Sequence, residues 1–248
     1  TALFQNERGV TYIGTSGGGF NVMYEDRIEK VEYIPALSQS TVLAIYESPG
    51  GELWIGLESS KPALYVLRKS GNRFVVLRTY DEITKEKNIK TVSGIIPDGK
   101  GGVWVSSYGA GVVNIKEREI TLLDSKNGLP SDDIYTVKKD SKGNLWIGTY
   151  QGGLVKYDGL KCTIFNQENG LPDNNILTLC EDKRGNIIVG TANKGMAIYD
   201  GKTFKGISTG EGLCSDVVYT LITDDKDRIW VGTDKGVNRI SRADDGSI

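Results

Sequence analysis

Eight side chains at the tips of short turns could bind a polyhydroxylated ligand such as a sugar. An aromatic face covers the C–H groups of a sugar ring, while amides, carboxylates and ammonium groups bond its hydroxyls. Ordinary solvated loop tips, which carry the same residue types, are the simpler interpretation. The candidate ligand-binding residues are Glu58, Tyr108, Tyr150, Gln151, Asn193, Lys194, Asp234 and Lys235.

Catalytic chemistry has little support in the sequence. The chain contains no histidine, which excludes histidine acid–base catalysis, a Ser-His-Asp triad and histidine metal ligands. Paired carboxylates could hydrolyse a glycan, but carboxylates on turns mostly serve turn formation and solubility. The carboxylates that could meet in this way include Glu58, Asp132, Asp133 and Asp234. We therefore expect no catalytic residue, no cofactor and no enzyme activity in this chain.

The three cysteines do not recur at one position of any pattern. Cys162 falls in a predicted strand, Cys180 in another strand and Cys214 in a loop, and no C-x-x-C pair is present. Metal sites built from cysteine usually contain such close pairs. We expect free thiols, without a disulfide or a metal site.

Charge and hydropathy limit the partners. The net charge of −2 gives no reason to expect binding to nucleic acid or to an anionic membrane surface. No apolar run is long enough to span a bilayer, and no signal peptide is present at Thr1. A chain that begins at Thr1 rather than at methionine is consistent with an excised or processed piece of a longer protein.

A repeat positions the candidate residues. Its anchor is a bulky residue before a hydrophobic-Gly-Thr element, and the intervals between successive anchors are 42, 50, 42, 42 and 42 residues. Such a period indicates a solenoid, a propeller or an array. The anchors are Tyr12, Trp54, Trp104, Trp146, Ile188 and Trp230. We predict a single domain over 1–248, with units at about 1–37, 38–88, 89–130, 131–172, 173–214 and 215–248.

Within one unit the pattern is typical of four short strands. Strands are predicted at Ile134–Lys139, Leu145–Thr149, Leu154–Tyr157 and Lys161–Asn166, with a hairpin turn over Asp140–Asn144. The second strand is apolar without alternation, so we expect both of its faces to be buried. Four strands per 40–45 residues is the geometry of a β-propeller blade. The predicted fold is therefore all-β, with about six four-stranded blades.

Two parts of the chain depart from the regular pattern. The long interval falls at the polar insert Arg78–Lys90, for which we expect an exposed loop or one helical turn. The sixth unit runs from Val218 to about Ser241, and its fourth strand is weak or absent. Either a six-bladed ring closes without that strand or the chain is most of a larger ring. We favour six blades.

The propeller topology places two types of loop on one face. They are the corner between the second and third strands and the approach loop that leads into each first strand. All eight candidates lie in corners, and we expect them to surround one mouth of the propeller. The recurring tryptophans are expected to pack between blades rather than to bind sugar. The Asn-Gly-Leu-Pro loops are expected to serve chain reversal.

The full repeat resembles a known family, the two-component regulator propeller repeat. The likeness is close in units four to six and looser in units one to three. The residues that carry it in unit four are Asn127, Gly128, Leu129, Pro130, Asp140, Gly143, Trp146, Gly148, Thr149, Gly153, Tyr157, Asp158 and Gly159.

The resemblance implies a sensor. Members of this family form the extracytoplasmic region of bacterial membrane-bound histidine kinases, and many such hybrid kinases are associated with carbohydrate sensing. The chain would then be a periplasmic or extracellular part of an inner-membrane receptor, and kinase and membrane segments would lie outside it. A small molecule or oligosaccharide, a protein partner and receptor dimerisation all stay open. The alternatives are a generic propeller scaffold that binds protein and, last, a carbohydrate-active hydrolase or lyase.

Overall fold

The structure is a computed structural model that describes residues 2–58, 60–80, 89–117 and 119–241. Within these residues, 23 strands form six antiparallel sheets, each joined in sequence order. Among the described residues, helical structure is limited to one turn at Pro35–Ser38 and two 3-10 turns, at Gln167–Asn169 and Thr209–Glu211. The predicted all-β propeller fold with six blades is confirmed. The chain divides into two compact units, Thr1–Leu123 and Asp124–Ile248, and the prediction of a single domain stays a prediction.

The first unit contains three four-stranded blades. In the first blade the strands are β1 (Ala2–Gln5), β2 (Thr11–Gly14), β3 (Phe20–Met23) and β4 (Ile28–Lys30). In the second they are β5 (Val42–Glu47), β6 (Glu52–Leu57), β7 (Leu64–Ser70) and β8 (Arg73–Tyr80). In the third they are β9 (Thr91–Pro97), β10 (Val103–Tyr108), β11 (Gly111–Lys116) and β12 (Glu119–Leu123).

The second unit contains blades four to six. The fourth blade has β13 (Ile134–Lys139), β14 (Leu145–Thr149), β15 (Leu154–Tyr157) and β16 (Cys162–Phe165). The fifth has β17 (Ile176–Glu181), β18 (Ile187–Thr191), β19 (Met196–Tyr199) and β20 (Phe204–Ile207). Up to residue 241 the sixth has three strands: β21 (Val218–Thr223), β22 (Ile229–Thr233) and β23 (Gly236–Ile240).

One sequence prediction is wrong at its first residues. Arg78–Tyr80 was expected to begin a polar loop or a helical turn, but these residues end strand β8 and pair with β7 after a β-bulge. The Arg78 guanidinium lies 2.7 Å from the Glu52 carboxylate and over the Trp54 ring. These cross-strand contacts extend the sheet although the sequence there is polar. The rest of the predicted insert lies largely outside the described residues.

The second strands of the blades belong to the hydrophobic core of each unit. All five residues of β14 are buried, which confirms the prediction that both of its faces are covered. Trp146 packs with Leu154 of its own blade against Ile176 and Leu179 of the fifth blade. Its ring is 5.8 Å from that of Tyr199, edge to face. The predicted role of this tryptophan between blades is confirmed.

Close blade packing explains a repeated glycine. A Cβ atom at Gly148 would lie 2.7 Å from Ile176 Cγ2 and 2.6 Å from Thr136 Cγ2. Real Cβ atoms are not found that close to carbon, so only glycine lets the first strand of the fifth blade approach β14 at this point. The hydrophobic-Gly-Thr element of the repeat therefore serves the close packing of neighbouring blades.

The turn between the first and second strands is organised by one carboxylate. Asp140 Oδ1 accepts hydrogen bonds from the backbone N–H groups of Lys142 and Asn144, at 3.0 and 2.7 Å. Its Oδ2 accepts from Asn144 Nδ2 at 2.7 Å and from Trp146 Nε1 at 2.8 Å. Burial alone raises the pKa of Asp140, but these hydrogen bonds to the ionised form outweigh it and hold the pKa below its ordinary value.

The turn between the third and fourth strands explains the Tyr-Asp-Gly element. The Tyr157 hydroxyl donates to the Gly159 carbonyl at 2.9 Å. Asp158 Oδ1 accepts from the backbone N–H groups of Leu160 and Lys161, at 2.9 and 3.0 Å. These are local turn bonds, so the element stabilises a chain reversal.

Candidate functional site

Backbone hydrogen bonds join corners to approach loops within each unit. In the second unit the Tyr150 N–H donates to the Asp133 carbonyl, and the Gly153 N–H donates to the Asn174 carbonyl, each at 2.9 Å. In the first unit the Glu58 N–H donates to the Thr41 carbonyl at 3.0 Å. For these blades the prediction that the two loop types share one end is confirmed. We call it the corner end, and the opposite end, with the first-to-second-strand turns, the turn end.

The approach loops are held by side chains that recur every 42 residues. Asp132 Oδ1 accepts from the Ser125 N–H at 2.7 Å. At the next repeat Asn174 Oδ1 accepts from the Gln167 N–H at 3.0 Å. At the last repeat Asp216 Oδ1 accepts from the Thr209 N–H at 2.7 Å. In the sequence, Asp132 was one of the carboxylates that could have hydrolysed a glycan. In the structure it holds the approach loop of the fourth blade.

The approach loops also contain capped 3-10 turns. The Asn166 side chain accepts from the Glu168 N–H, and Asn169 Oδ1 accepts from the Asn166 N–H at 2.8 Å, forming a capping box. Gly170 ends the turn at φ 99°, in the left-handed region, and Leu171 after it is buried. The predicted turn role of the Asn-Gly-Leu-Pro loop is confirmed here.

Tyr150 and Gln151 form the tip of the fourth blade's corner. The Tyr150 side chain is 36 % exposed, and its ring meets that of Tyr135 edge to face at 5.9 Å. Gln151 has φ 59°, where the same repeat position in other blades holds Gly17 at 71° and Gly109 at 83°. A non-glycine residue costs about 1–2 kcal/mol in this region. The chain therefore carries a polar side chain at this tip in spite of backbone strain.

A chain of hydrogen bonds connects two neighbouring corners. The Gln151 N–H donates to Asn175 Oδ1 at 3.1 Å, and Asn175 Nδ2 donates to Asp173 Oδ1 at 3.1 Å. Asp173 Oδ2 in turn accepts from Asn193 Nδ2 at 3.0 Å. Asp173 is only 6 % exposed. The structure thus brings Gln151 and Asn193 to one connected surface. The Asn193 side-chain N–H already donates a hydrogen bond to the buried Asp173 carboxylate.

The other candidates lie at separate tips. Lys194 is exposed beside Asn193, and its N–H donates to Thr191 Oγ1 at 3.0 Å. Asp234 and Lys235 are exposed on the sixth blade's corner. In the first unit, Glu58 is exposed at the second blade's corner, and Tyr108 ends β10 with 41 % exposure. That all eight candidates bind one ligand stays a prediction.

A groove in the first unit was missed by sequence reasoning. It lies at the turn end, between the turn after β1 and the turn after β5. One cavity of about 350 Å³ is lined by Phe4, Arg8, Tyr46 and Glu47, among others. A second of about 270 Å³ shares Arg8 and Glu47 and extends to Lys69. One signal in the sequence is Tyr12, which replaces the usual tryptophan and lines the second cavity.

The electrostatics of the groove centre on Glu47. Its Oε2 accepts from Asn6 Nδ2 at 2.8 Å. Burial first, and then a hydrogen bond to the Glu47 carboxylate, raise the pKa of Tyr12 above its ordinary value. Tyr12 is therefore a neutral hydroxyl donor at physiological pH.

The described residues offer neither a metal site nor a membrane-spanning helix. In the described ranges no three His, Cys, Asp or Glu side chains are grouped to hold a metal ion. Across those same ranges, no helix has the length and apolar character needed to cross a bilayer. Burial raises the pKa of the Cys180 thiol to about 12, so this cysteine is an unreactive core residue.

Comparison with known families and structures gives three repeat matches and a common fold. Residues 128–151, 170–193 and 212–235 match the two-component regulator propeller family. Each match runs from the approach loop to the corner of one blade, and together they confirm the repeat recognised in the sequence. No protein of curated function matches the chain in sequence.

Three solved structures of low identity share the fold. The extracellular domain of BT3049 from B. thetaiotaomicron, assigned to a hybrid two-component system, is 19 % identical, with a TM-score of 0.78, over 97 % of this chain and 33 % of that chain. PorZ of Porphyromonas gingivalis, a surface component of the type-IX secretion system, is 17 % identical, with a TM-score of 0.72, over 92 % of this chain and 36 % of that chain. This chain spans about a third of both proteins.

The third structure is an enzyme. It is a catalytically inactive histidine-to-alanine variant of virginiamycin B lyase from Staphylococcus aureus with quinupristin. It is 13 % identical, with a TM-score of 0.72, over 96 % of this chain and 78 % of that chain. At these identities the three structures show a common fold, and their activities remain those of the individual proteins.

Proposed function

The chain carries two-component regulator propeller repeats, and from that premise we propose that it is the extracytoplasmic ligand-sensing domain of a bacterial two-component signalling receptor. It would lie in the periplasm or outside the cell and would bind its signal without catalysis. Kinase and membrane-spanning activities would belong to other segments of the receptor. The relation to extracellular domains of two-component systems rests on the repeat match and on the shared fold.

One observation carries the proposal: the matched repeats share a frame and differ at their tips. Asp132, Asn174 and Asp216 hold the three approach loops in the same way. At the corners, by contrast, Gln151, Asn193 and Lys235 occupy one repeat position with three different side chains, two amides of different length and one ammonium group. A constant scaffold with variable tips is how repeat proteins present a binding surface.

The ligand class that we propose is a carbohydrate. The partly exposed Tyr150 ring offers an aromatic face, and the Gln151 and Asn193 amides in the same hydrogen-bonded surface offer donors and acceptors. This combination suits the C–H face and the hydroxyl groups of a sugar. Lys194, Asp234, Lys235, Glu58 and Tyr108 belong to the same proposal as further corner residues.

A thermal-shift screen against oligosaccharides tests the proposal. A ligand that binds only the folded state raises the unfolding midpoint by a free energy of RT ln(1 + [L]/Kd). We expect a dose-dependent rise with one glycan class and its loss in Tyr150→Ala and Gln151→Ala. Leu160→Ala is the matched control, because Leu160 is 94 % exposed in the turn between β15 and β16, at the end of the fourth blade away from its corner. Equal loss in all three variants would contradict the proposed site.

Two alternatives have specific observations behind them. Similarity to PorZ favours a protein-binding scaffold, for which the same screen would give no shift with any glycan. Similarity to the lyase suggests an enzyme as the second alternative. Against it, this chain has no histidine, and the lyase variant that lost a histidine is inactive. A full-length gene with a membrane span and a kinase transmitter beside this domain would distinguish the receptor from the scaffold.

A further inference from the structure

At the groove at the turn end of the first two blades, a contact that joins blades four and five is altered. In blades four and five, Glu181 reaches back to the preceding turn, where its carboxylate accepts from the Ser141 N–H at 2.8 Å and from Ser141 Oγ at 2.6 Å. Glu47 occupies the same repeat position as Glu181, but Glu7 stands where Ser141 would be. A carboxylate cannot replace the serine hydroxyl as a donor to a second carboxylate, so the bond from the Ser141 hydroxyl has no counterpart here.

Glu47 instead turns inward. It accepts from Asn6 Nδ2 at 2.8 Å, and it contributes, after burial, to the raised pKa of the Tyr12 hydroxyl. Glu47 thus has a hydrogen-bond donor in the wall of the groove, and it lines the cavity of about 270 Å³. That volume is just below the range for ligand sites in proteins, about 300–1,000 Å³, as suits a small ligand.

The cavity combines an apolar floor with a cationic rim. The floor consists of Tyr12, Val22, Leu53 and Phe74, all of which are buried. The rim cations are Arg8, Arg68 and Lys69.

The rim cations differ in how far their charge is already neutralised. Arg68 lies 3.4 Å from the Glu52 carboxylate. Lys69 Nζ donates to the Tyr24 hydroxyl at 3.1 Å, which is a neutral partner. Within the described part of the chain, neither Arg8 nor Lys69 has a carboxylate within ion-pair distance. Two positive charges at the mouth are thus free to meet an anion.

We propose that this groove binds a small organic acid, with its carboxylate between Arg8 and Lys69 and its apolar body on the Tyr12–Phe74 floor. The proposal is independent of the carbohydrate surface at the corner end, because it uses other residues at the opposite end of the blades. Charge-assisted bonds to arginine and lysine fix the carboxylate, and burial of the apolar body supplies most of the affinity.

The test compares an acid with its neutral amide. Phenylacetate and phenylacetamide have nearly the same shape and differ in charge, so their binding to the whole chain can be compared by titration calorimetry. We expect the acid to bind more tightly than the amide. Arg8→Gln and Lys69→Gln should each weaken binding of the acid roughly fivefold or more, because each removes one of the two charges that face it.

Two further variants separate charge from folding. Glu47→Gln removes the negative charge behind the cavity and keeps an acceptor, so it should strengthen binding of the acid, opposite in sign to Arg8→Gln. Lys142→Gln is the matched control, because Lys142 occupies the position of Arg8 in the fourth blade's turn, and it should leave binding unchanged. Equal binding of acid and amide, no binding of the acid, or weaker binding in Glu47→Gln would each overturn the proposal.

Discussion

At the turn end of the blades, one repeat position carries an oxygen acceptor in all six units: Asn6, Ser48, Asp98, Asp140, Asp182 and Asp224. Each accepts at least one backbone N–H group of its own turn: Ser48 accepts from Glu52, Asn6 from Arg8 and Val10, and Asp182 from Arg184 and Asn186. At the corner end, the tips of blades four to six hold Tyr150, Ala192 and Asp234 at one position. The same fold therefore constrains one end and leaves the tips of the other free to vary.

The difference separates scaffold chemistry from recognition chemistry without any second sequence. A side chain that closes a turn must recur, since every blade needs the turn. A side chain that meets a ligand needs to occur once, at the point where the ligand lies. The predictions below test this separation by exchanging residues at matched repeat positions.

The largest effect is expected at the turn end, for Asp140→Ala. This change removes the acceptor of four hydrogen bonds and leaves the buried Trp146 indole N–H without a partner. We expect a loss of about 3–4 kcal/mol in the free energy of unfolding, measured in urea. The matched variant is Asp182→Ala, since Ile188 replaces the tryptophan there, and it should cost about 1–2 kcal/mol less. Equal losses in the two variants would show that the hydrogen bond from Trp146 Nε1 contributes nothing to stability.

Acid should weaken the same turns. The hydrogen bond from Trp230 is the main cause that lowers the pKa of Asp224, and hydrogen bonds also lower that of Asp140 against the effect of burial. A folded pKa below the unfolded value of about 3.9 means that the unfolded chain binds protons more readily. The stabilisation is complete above that value and is lost as the pH falls through the folded pKa values.

Stability measured against pH should therefore fall steeply below about pH 4. The effect of protonation is smaller than that of truncation to alanine, because a protonated carboxyl still accepts some hydrogen bonds. Asp140→Asn, which cannot titrate, should be less stable at neutral pH and should lose less stability in acid. An unchanged acid slope in this variant would contradict the assignment to Asp140.

The strands of the fourth blade were predictable because their apolar runs end at strong turn signals. The bounds of β13, β14 and β15 agree with the sequence prediction, and β16 is one residue shorter at each end. Strand β8 was cut short in the prediction because Arg78 and Thr79 have loop-like polarity. Their conformation depends on pairing with β7 and on the Arg78–Glu52 ion pair, which are tertiary contacts that local sequence does not encode.

A smaller effect on stability is expected for Gln151→Gly, which should stabilise the protein. Glycine adopts the observed φ of 59° without the steric cost, and after the entropy of the unfolded chain is included we expect a gain of about 0.5–1 kcal/mol. Asn193→Gly is the matched control at the same repeat position. It should destabilise by about 1 kcal/mol or more, because Asp173 loses the bond from Asn193 Nδ2. A loss in both variants would mean that Gln151 is also part of the scaffold.

The sequence predicted where the candidate side chains lie more reliably than what they do. Asp132, Asn174 and Asp216 look variable, yet Asp and Asn present the same Oδ1 acceptor to the approach loop. Asn193 was predicted to bind ligand, although its Nδ2 group donates a hydrogen bond to Asp173. The groove beside Glu47 was missed because it depends on contacts with Asn6, which is 41 residues away.

The smallest effect on stability is expected for Tyr150→Ala. Its ring is 36 % exposed and has one aromatic contact, edge to face with Tyr135, so the loss in urea unfolding should be under about 1.5 kcal/mol. Tyr150→Phe should be nearly neutral if the hydroxyl carries no scaffold bond. A recognition residue is expected to combine this small effect on folding with loss of the ligand-induced thermal shift. A loss as large as that of Asp140→Ala would instead place Tyr150 with the scaffold and remove the distinction between the two ends of the blades.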